Sequence, residues 1–309
     1  MSHQVQLLDF LSANTKLYLA AKEAQNLSTN TLVKYSSVLE MFYDFCSEEL
    51  DVDHPFILQH INEHFLNIFV IYLRKKKLNP TTQKNILTII KNFFSFIAKH
   101  NPEYSYLKLN LADYSIKTDS KEKPFFNQDE QTRISHYITI LDKKTNYLSH
   151  RNSLILKLLL NTGIRISELL AIEYGQLTKL KDEKHGELYS ILINGKGKKQ
   201  RYTYIRSDYV DTNINVIKKK NPAKYIFATP NGQPCSRSHI FYSIKNILSK
   251  AGINKTGLHI FRHTFARNLV NDNQNLSTIK ELLGHSNITT TAQFYAKADE
   301  QAKRKALFK

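Results

Sequence analysis

Apolar residues recur at helical intervals along the first 115 positions. Between residues 81 and 99, Ile86, Ile89, Ile90, Phe93, Phe94 and Ile97 fall at i, i+3, i+4, i+7, i+8 and i+11. That single stripe predicts an amphipathic helix, and Asn79-Pro80 breaks the chain just before it. A second helix is expected over residues 31–50, with Leu32, Tyr35, Leu39, Phe42 and Cys46 on one side. A third, over residues 62–77, closes on Arg74, Lys75, Lys76 and Lys77. This basic run reads equally as a solvated helix end favoured by the dipole and as a phosphate contact.

The pattern changes after residue 114. Residues 114–123 are polar and poor in apolar anchors, which reads as a linker. The domains are drawn as a helical domain at 1–115, a linker at 116–123 and a second domain at 124–309. Asn127 with Glu130 three residues on predicts a capped helix start. The apolar helix over 154–160 stops at Gly163, and a new helix is expected behind Ser167. Two β-like runs, 187–193 and 201–206, flank Asn194-Gly195-Lys196-Gly197-Lys198-Lys199, a hairpin signal. The remainder reads as helices capped by Ser236 and Ser277. The expected fold is therefore mainly α with one small β-sheet, in two domains, as suits 309 residues.

Charge sharpens this division. Residues 1–119 carry 12 basic and 12 acidic side chains, whereas residues 120–309 carry 32 and 15. The whole net charge of +17 thus lies in the second part. Such an excess points to a polyanionic partner, nucleic acid first; a generally soluble basic surface is the blander reading. Cys46 and Cys235, far apart, form neither a disulfide framework nor a metal knuckle and suit a reducing cytosol. Neither a signal peptide nor a membrane span is expected.

Four segments of the basic part carry candidate chemistry. Arg165 stands in a helix–helix turn, three residues before Glu168, and Lys196 sits at the hairpin tip. His259, Arg262 and His263 share a helix face at i, i+3 and i+4, beside an apolar stripe of Phe261, Phe265 and Leu269. Gly284 ends a short helix before His285, and Tyr295 follows on a helix expected to begin near Thr289. Taken singly, each has an ordinary explanation as a solvated cation, a soluble turn or a packing aromatic. His259 and His263 also have zinc-pair spacing, but the zinc-protease glutamate is missing and Arg262 lies between them, so no metal is expected. Together these residue types fit metal-free phosphodiester transesterification. Guanidinium forks hold the non-bridging oxygens, a histidine takes a tyrosine proton, and a lysine supplies one to the leaving oxygen. A covalent phosphotyrosine would conserve the bond energy, so neither ATP nor another cofactor is expected.

The ordered segments Thr162-Gly163-Ile164-Arg165-Ile166-Ser167-Glu168-Leu169, Gly195-Lys196-Gly197-Lys198, His259-Ile260-Phe261-Arg262-His263, Leu282-Leu283-Gly284-His285-Ser286 and the late Tyr295 resemble the motifs of tyrosine recombinases, the phage-integrase family. The chain is most similar in layout to simple Xer-type bacterial recombinases. The resemblance implies Arg165 and Arg262 as the paired arginines, Lys196 as the hairpin lysine, His259 and His285 as the catalytic histidines and Tyr295 as the nucleophile. Glu168 and His263 take supporting places. Lys198, Lys199 and Arg201 join Arg74, Lys75, Lys76 and Lys77 as expected DNA contacts. One departure stands out: Tyr295 follows His285 by ten residues, where the family usually has nine, and the extra residue is assigned to the loop 286–290. The implied molecule is a C-shaped clamp on duplex DNA, with residues 1–115 as the core-binding domain and residues 124–309 as the catalytic domain. It would work as a homotetramer on two specific sites through a 3′-phosphotyrosyl intermediate and a Holliday junction, in the cytoplasm on the nucleoid. Chromosome dimer resolution, inversion and mobile-element movement all remain open, as does an accessory protein. The rival readings are a non-catalytic DNA-binding descendant and a type IB topoisomerase-like activity.

Overall fold

A computed structural model of the chain describes residues 3–49, 58–111, 115–117, 123–195 and 199–284. The chain divides into two compact units, Met1–Lys121 and Glu122–Lys309. No helix among the described residues is long and apolar enough to cross a membrane.

The first unit is helical. It comprises α1 (His3–Ala24), α2 (Thr29–Glu49), α3 (Glu63–Lys75), α4 (Pro80–His100) and α5 (Ser105–Leu111). The expected stripe on α4 is the buried one: Ile86, Ile89, Ile90, Phe93, Phe94 and Ile97 all lie in the core. Asn79 caps that helix by accepting a hydrogen bond from the Thr82 N–H at 2.8 Å, and Pro80 occupies its first turn, where no N–H is needed. Phe42 from α2 meets Phe69 of α3 and Phe94 of α4 edge-on, at 5.1 and 5.7 Å between ring centres. Edge-to-face geometry adds to area burial here. The basic run ends α3: Arg74 and Lys75 are in its last turn, Lys76 is its C-cap with its ammonium over the Tyr72 ring, and Lys77 adopts positive φ.

The second unit wraps helices around α7 (Tyr147–Thr162), whose Leu154, Ile155, Leu156, Leu158 and Leu159 are buried. Packed on it are α6 (Gln128–Asp142), α9 (Ser207–Lys220) and α11 (His259–Asn271). Between α7 and α9 the chain forms α8 (Ile166–Leu170) and an antiparallel sheet, β1 (Leu177–Asp182), β2 (Gly186–Asn194) and β3 (Gln200–Arg206), in the order β1-β2-β3. α10 (Arg237–Lys250) and α12 (Leu276–Leu283) complete the described part. Asn127 and Glu130 form the expected reciprocal cap on α6, both bonds 2.8 Å, and Ser236 caps α10.

Two caps and one strand depart from the sequence expectation. α8 begins behind Arg165, not Ser167, because the Glu168 carboxylate reaches back to the Arg165 N–H at 3.2 Å. α12 is capped by Asn275, which accepts from the Thr278 N–H at 2.8 Å, and not by Ser277. β1 was not expected at all. Its sequence, Leu-Thr-Lys-Leu-Lys-Asp, lies at the sheet edge with four central residues exposed, so it carries charge where a central strand carries apolar side chains.

Candidate active site

The site is assembled where three helices end or begin. α7 stops because Gly163 takes the left-handed conformation, φ +58°, and the Phe265 ring occupies the space a side chain would need. The turn frees the Gly163 carbonyl, which accepts the Arg262 Nη1–H at 2.8 Å. The other arm of Arg262, Nη2, donates to the Leu283 carbonyl at 2.5 Å. This guanidinium is therefore backed by the C-terminal ends of α7 and α12, where helix carbonyls carry partial negative charge. Phe261 beneath it is fully buried and packs edge-on against Phe126 at 4.9 Å, fixing α11 in the core.

α12 ends at Gly284, also left-handed, φ +63°. Three successive carbonyls there each accept from a different arginine. Arg201 Nε donates to Leu282 at 3.1 Å, Arg262 Nη2 to Leu283, and Arg165 Nη2 to Gly284 at 3.2 Å. Glu168 joins two of the three: its Oε1 accepts from Arg165 Nη1 and its Oε2 from Arg201 Nη2, both at 2.7 Å. Burial alone would raise the Glu168 carboxyl; the bonds and charges of Arg201 and Arg165 overcome this and hold it below the usual carboxylate range. The cluster of three guanidiniums and one carboxylate thus keeps a net charge of about +2 at neutral pH.

The histidines of α11 sit in the field of this cluster. Desolvation of the ring, then Arg237, Arg262 and Arg165, push His259 below its ordinary value. His263 falls to about 4, from burial first and then Lys123, His259 and Arg262. Both imidazoles are consequently neutral at pH 7, and a neutral imidazole can accept a proton. Burial and the Arg165 charge lower Arg262 to about 9, which still leaves it protonated at neutral pH.

Of the residues singled out in the sequence, the structure brings together Arg165, Glu168, His259, Arg262 and Arg201. Lys196, Lys198, His285 and Tyr295 lie outside the described residues. The base of their hairpin is described: the Gly195 N–H donates to the Lys199 carbonyl at 2.7 Å, and Lys199 is exposed. Arg201 was grouped with the DNA contacts, but its side chain is only 13% exposed and points inward. Strand alternation carries the reason, since Arg201 shares a face with buried Thr203 and Ile205 while Tyr202 and Tyr204 face out. Arg237, at the start of α10, was not singled out; it lies 22 residues before His259, so no local spacing links them. Arg74, Lys75, Lys76 and Lys77 belong to the first unit. Among the described residues no group of three or more His, Cys, Asp or Glu could hold a metal.

A fold of this kind with arginines converging at helix ends defines a class. Residues 124–302 match the model of the Phage integrase family and residues 10–105 that of the Phage integrase SAM-like domain, and the chain belongs to that family. It is similar to the tyrosine recombinase XerH of Campylobacter jejuni, 28% identical over 286 residues, which cover 88% of this chain and 76% of that protein. It is equally similar to the tyrosine recombinase XerC of Bacillus licheniformis, 28% identical over 293 residues, covering 91% and 90%. Among solved structures, XerH bound to a palindromic difH substrate after cleavage shares the fold, with a TM-score of 0.76, 24% identity and coverage of 95% and 84%. A lambda integrase tetramer on a Holliday junction shares it more distantly, with a TM-score of 0.66, 16% identity and coverage of 92% and 76%.

Proposed function

We propose that the chain is a site-specific recombinase that cuts and rejoins duplex DNA through Tyr295. The observation that carries this reading is the convergence of Arg165 and Arg262 on the end of α12, one residue before His285, with neutral His259 in their field. Two guanidiniums held by backbone carbonyls are preorganised for the non-bridging oxygens of one phosphate and for the charge that grows on them in the pentavalent transition state.

In this reading the Tyr295 oxygen attacks phosphorus and its proton passes to His259. The bond between phosphorus and the 5′-oxygen breaks, and Lys196 protonates that oxygen. A 3′-phosphotyrosyl end and a free 5′-hydroxyl result, and attack by another strand's hydroxyl reverses the steps. His285 adds a donor to the phosphate, and Glu168 orients Arg165. No metal and no nucleotide enters the balance. The first unit acts as the core-binding domain and the second as the catalytic domain. Four protomers on two sites exchange strands through a Holliday junction, a reading that the likeness to DNA-bound recombinases supports. Dimer resolution, inversion and mobile-element movement are all served by this chemistry.

The test is covalent trapping. A nicked suicide substrate carrying the recombination site should leave a DNA-linked peptide containing Tyr295, and Tyr295→Phe should abolish the adduct with affinity nearly unchanged. An adduct on another residue, or one that persists in the Phe variant, overturns the assignment. A protein that binds but never forms an adduct is a non-catalytic descendant.

A further inference from the structure

Arg201 is enclosed in a way a DNA-contacting arginine would not be. A Cβ on Gly284 would stand 3.1 Å from its Nη1 and 3.2 Å from its Cδ, and one on Gly195 would stand 3.8 Å from Nη1. The guanidinium therefore lies between the end of α12 and the base of the β2–β3 hairpin. Its Nε holds the Leu282 carbonyl and its Nη2 holds Glu168. Glu168 in turn holds Arg165, and Arg165 holds the Gly284 carbonyl. The contacts close a ring: β3, α12, the start of α8 and back to β3 through one carboxylate. Gly195 and Lys199, which flank residues 196–198 in sequence, are joined by a hydrogen bond at the base of the hairpin beside this ring.

We infer that Arg201 is a positioning residue for cleavage, tying the base of the β2–β3 hairpin and the C-terminal end of α12 to the same carboxylate, Glu168. The inference rests on the proposed transesterification. Two physical effects follow. Arg201 neutralises Glu168, so the Arg165 charge remains available to a phosphate. It also fixes β3 against α12, the two described elements that adjoin Lys196 and His285 in sequence. A lysine at position 201 would keep the charge but could not fork between carbonyl and carboxylate.

The experiment uses the full chain in single-turnover cleavage at saturating suicide substrate, with thermal unfolding and DNA affinity measured alongside. Arg201→Met should slow cleavage of an ordinary phosphodiester by about 100-fold, the scale on which a displaced catalytic group costs rate, with affinity changed less than about threefold. Arg201→Lys should fall between Met and wild type. The decisive readout is a substrate with a 5′-bridging phosphorothiolate, whose sulfur leaves without needing a proton. If Arg201 seats the general-acid loop, this substrate should recover at least about tenfold of the loss, because general-acid catalysis spans about 10²–10⁴-fold. Equal slowing on both substrates, in Met and Lys variants alike, would mean a merely structural arginine and would overturn the inference. So would unchanged cleavage by Arg201→Met. Wild-type protein that forms no adduct sinks the reaction itself, whereas an active wild type with an indifferent Arg201 variant sinks only this role.

Discussion

At the scale of single residues, the roles proposed for Arg262 and Lys196 are separable by the bond each would act on. Lys196→Ala should slow cleavage of an ordinary phosphodiester and recover on the phosphorothiolate substrate, because its proposed proton goes to the leaving oxygen. Arg262→Ala should lose about 10²–10³-fold and should not recover, because its charge acts on oxygens that both substrates share. Equal recovery would contradict both roles.

The α11 histidines give a pH prediction with a definite sign. His263 has a folded-state value near 4 against an ordinary 6.5, and His259 is shifted the same way. Between those limits the unfolded chain binds protons that the folded chain refuses, so stability is complete above 6.5 and falls as pH drops toward 4. One proton contributes at most about 1.4 kcal/mol per pH unit. His263→Gln should flatten the slope of unfolding free energy between pH 6.5 and 4.5, a window above the depressed carboxylates. An unchanged slope would show that His263 is not held neutral. The grouping of His259, Arg262 and His263 was legible in their spacing on one face of α11. The inward turn of Arg201 was also available, from the alternation Arg201, Thr203, Ile205, but a basic side chain beside a lysine-rich hairpin reads first as surface.

At the scale of elements, the strongest apolar stripes were the most legible. α4 and α3 fall within a residue or two of the expected spans because Pro80 and Asn62 define their starts. Hydrophobic periodicity said nothing of β1, whose pairing is supplied by β2: Leu177 opposes buried Ile191, and Leu180 opposes Leu188 on the other face of the sheet. The two glycine helix ends matter differently. Gly163→Ala forces a left-handed alanine and drives its methyl into the Phe265 ring, also within 3.0 Å of Leu283. Left-handed strain of about 1–2 kcal/mol and overpacking of about 1–3 kcal/mol predict a loss of roughly 2–5 kcal/mol in denaturant unfolding. Gly284→Ala carries the same backbone strain but meets a side chain, Arg201, that can give. It should cost only about 1–2 kcal/mol, while slowing cleavage through the displaced guanidinium. A Gly284 variant more destabilised than the Gly163 variant would reverse this ranking.

At the scale of the whole molecule, charge distinguishes the two units. Each has its own buried cluster, aromatic in the first and built around α7 in the second. A split near residue 120 was legible because apolar anchors vanish there and because charge balance changes on the same stretch. Residues 1–119 are neutral in sum, whereas residues 120–309 carry an excess of 17 positive charges. Part of the basic complement is internal: Arg201 and Arg262 are held by carbonyls and Glu168, and Lys157 is buried against Asp142 at 2.8 Å. Others, Lys199, Lys219 and Lys220 among them, are exposed. Displacement of counterions by such a surface makes binding steep in salt. With about 6–10 phosphates neutralised, affinity for duplex DNA should fall by roughly 10³–10⁵ between 50 and 200 mM salt. Most of that slope should survive in a fragment of residues 120–309, and a fragment of residues 1–115 should bind weakly with a shallow slope. The alternative is that Arg74, Lys75, Lys76 and Lys77 supply much of the phosphate grip despite the neutral sum of their unit. Fluorescence anisotropy of both fragments on one duplex across that salt range decides between them. Equal affinity and equal slope would place the grip on α3 and refute the charge argument.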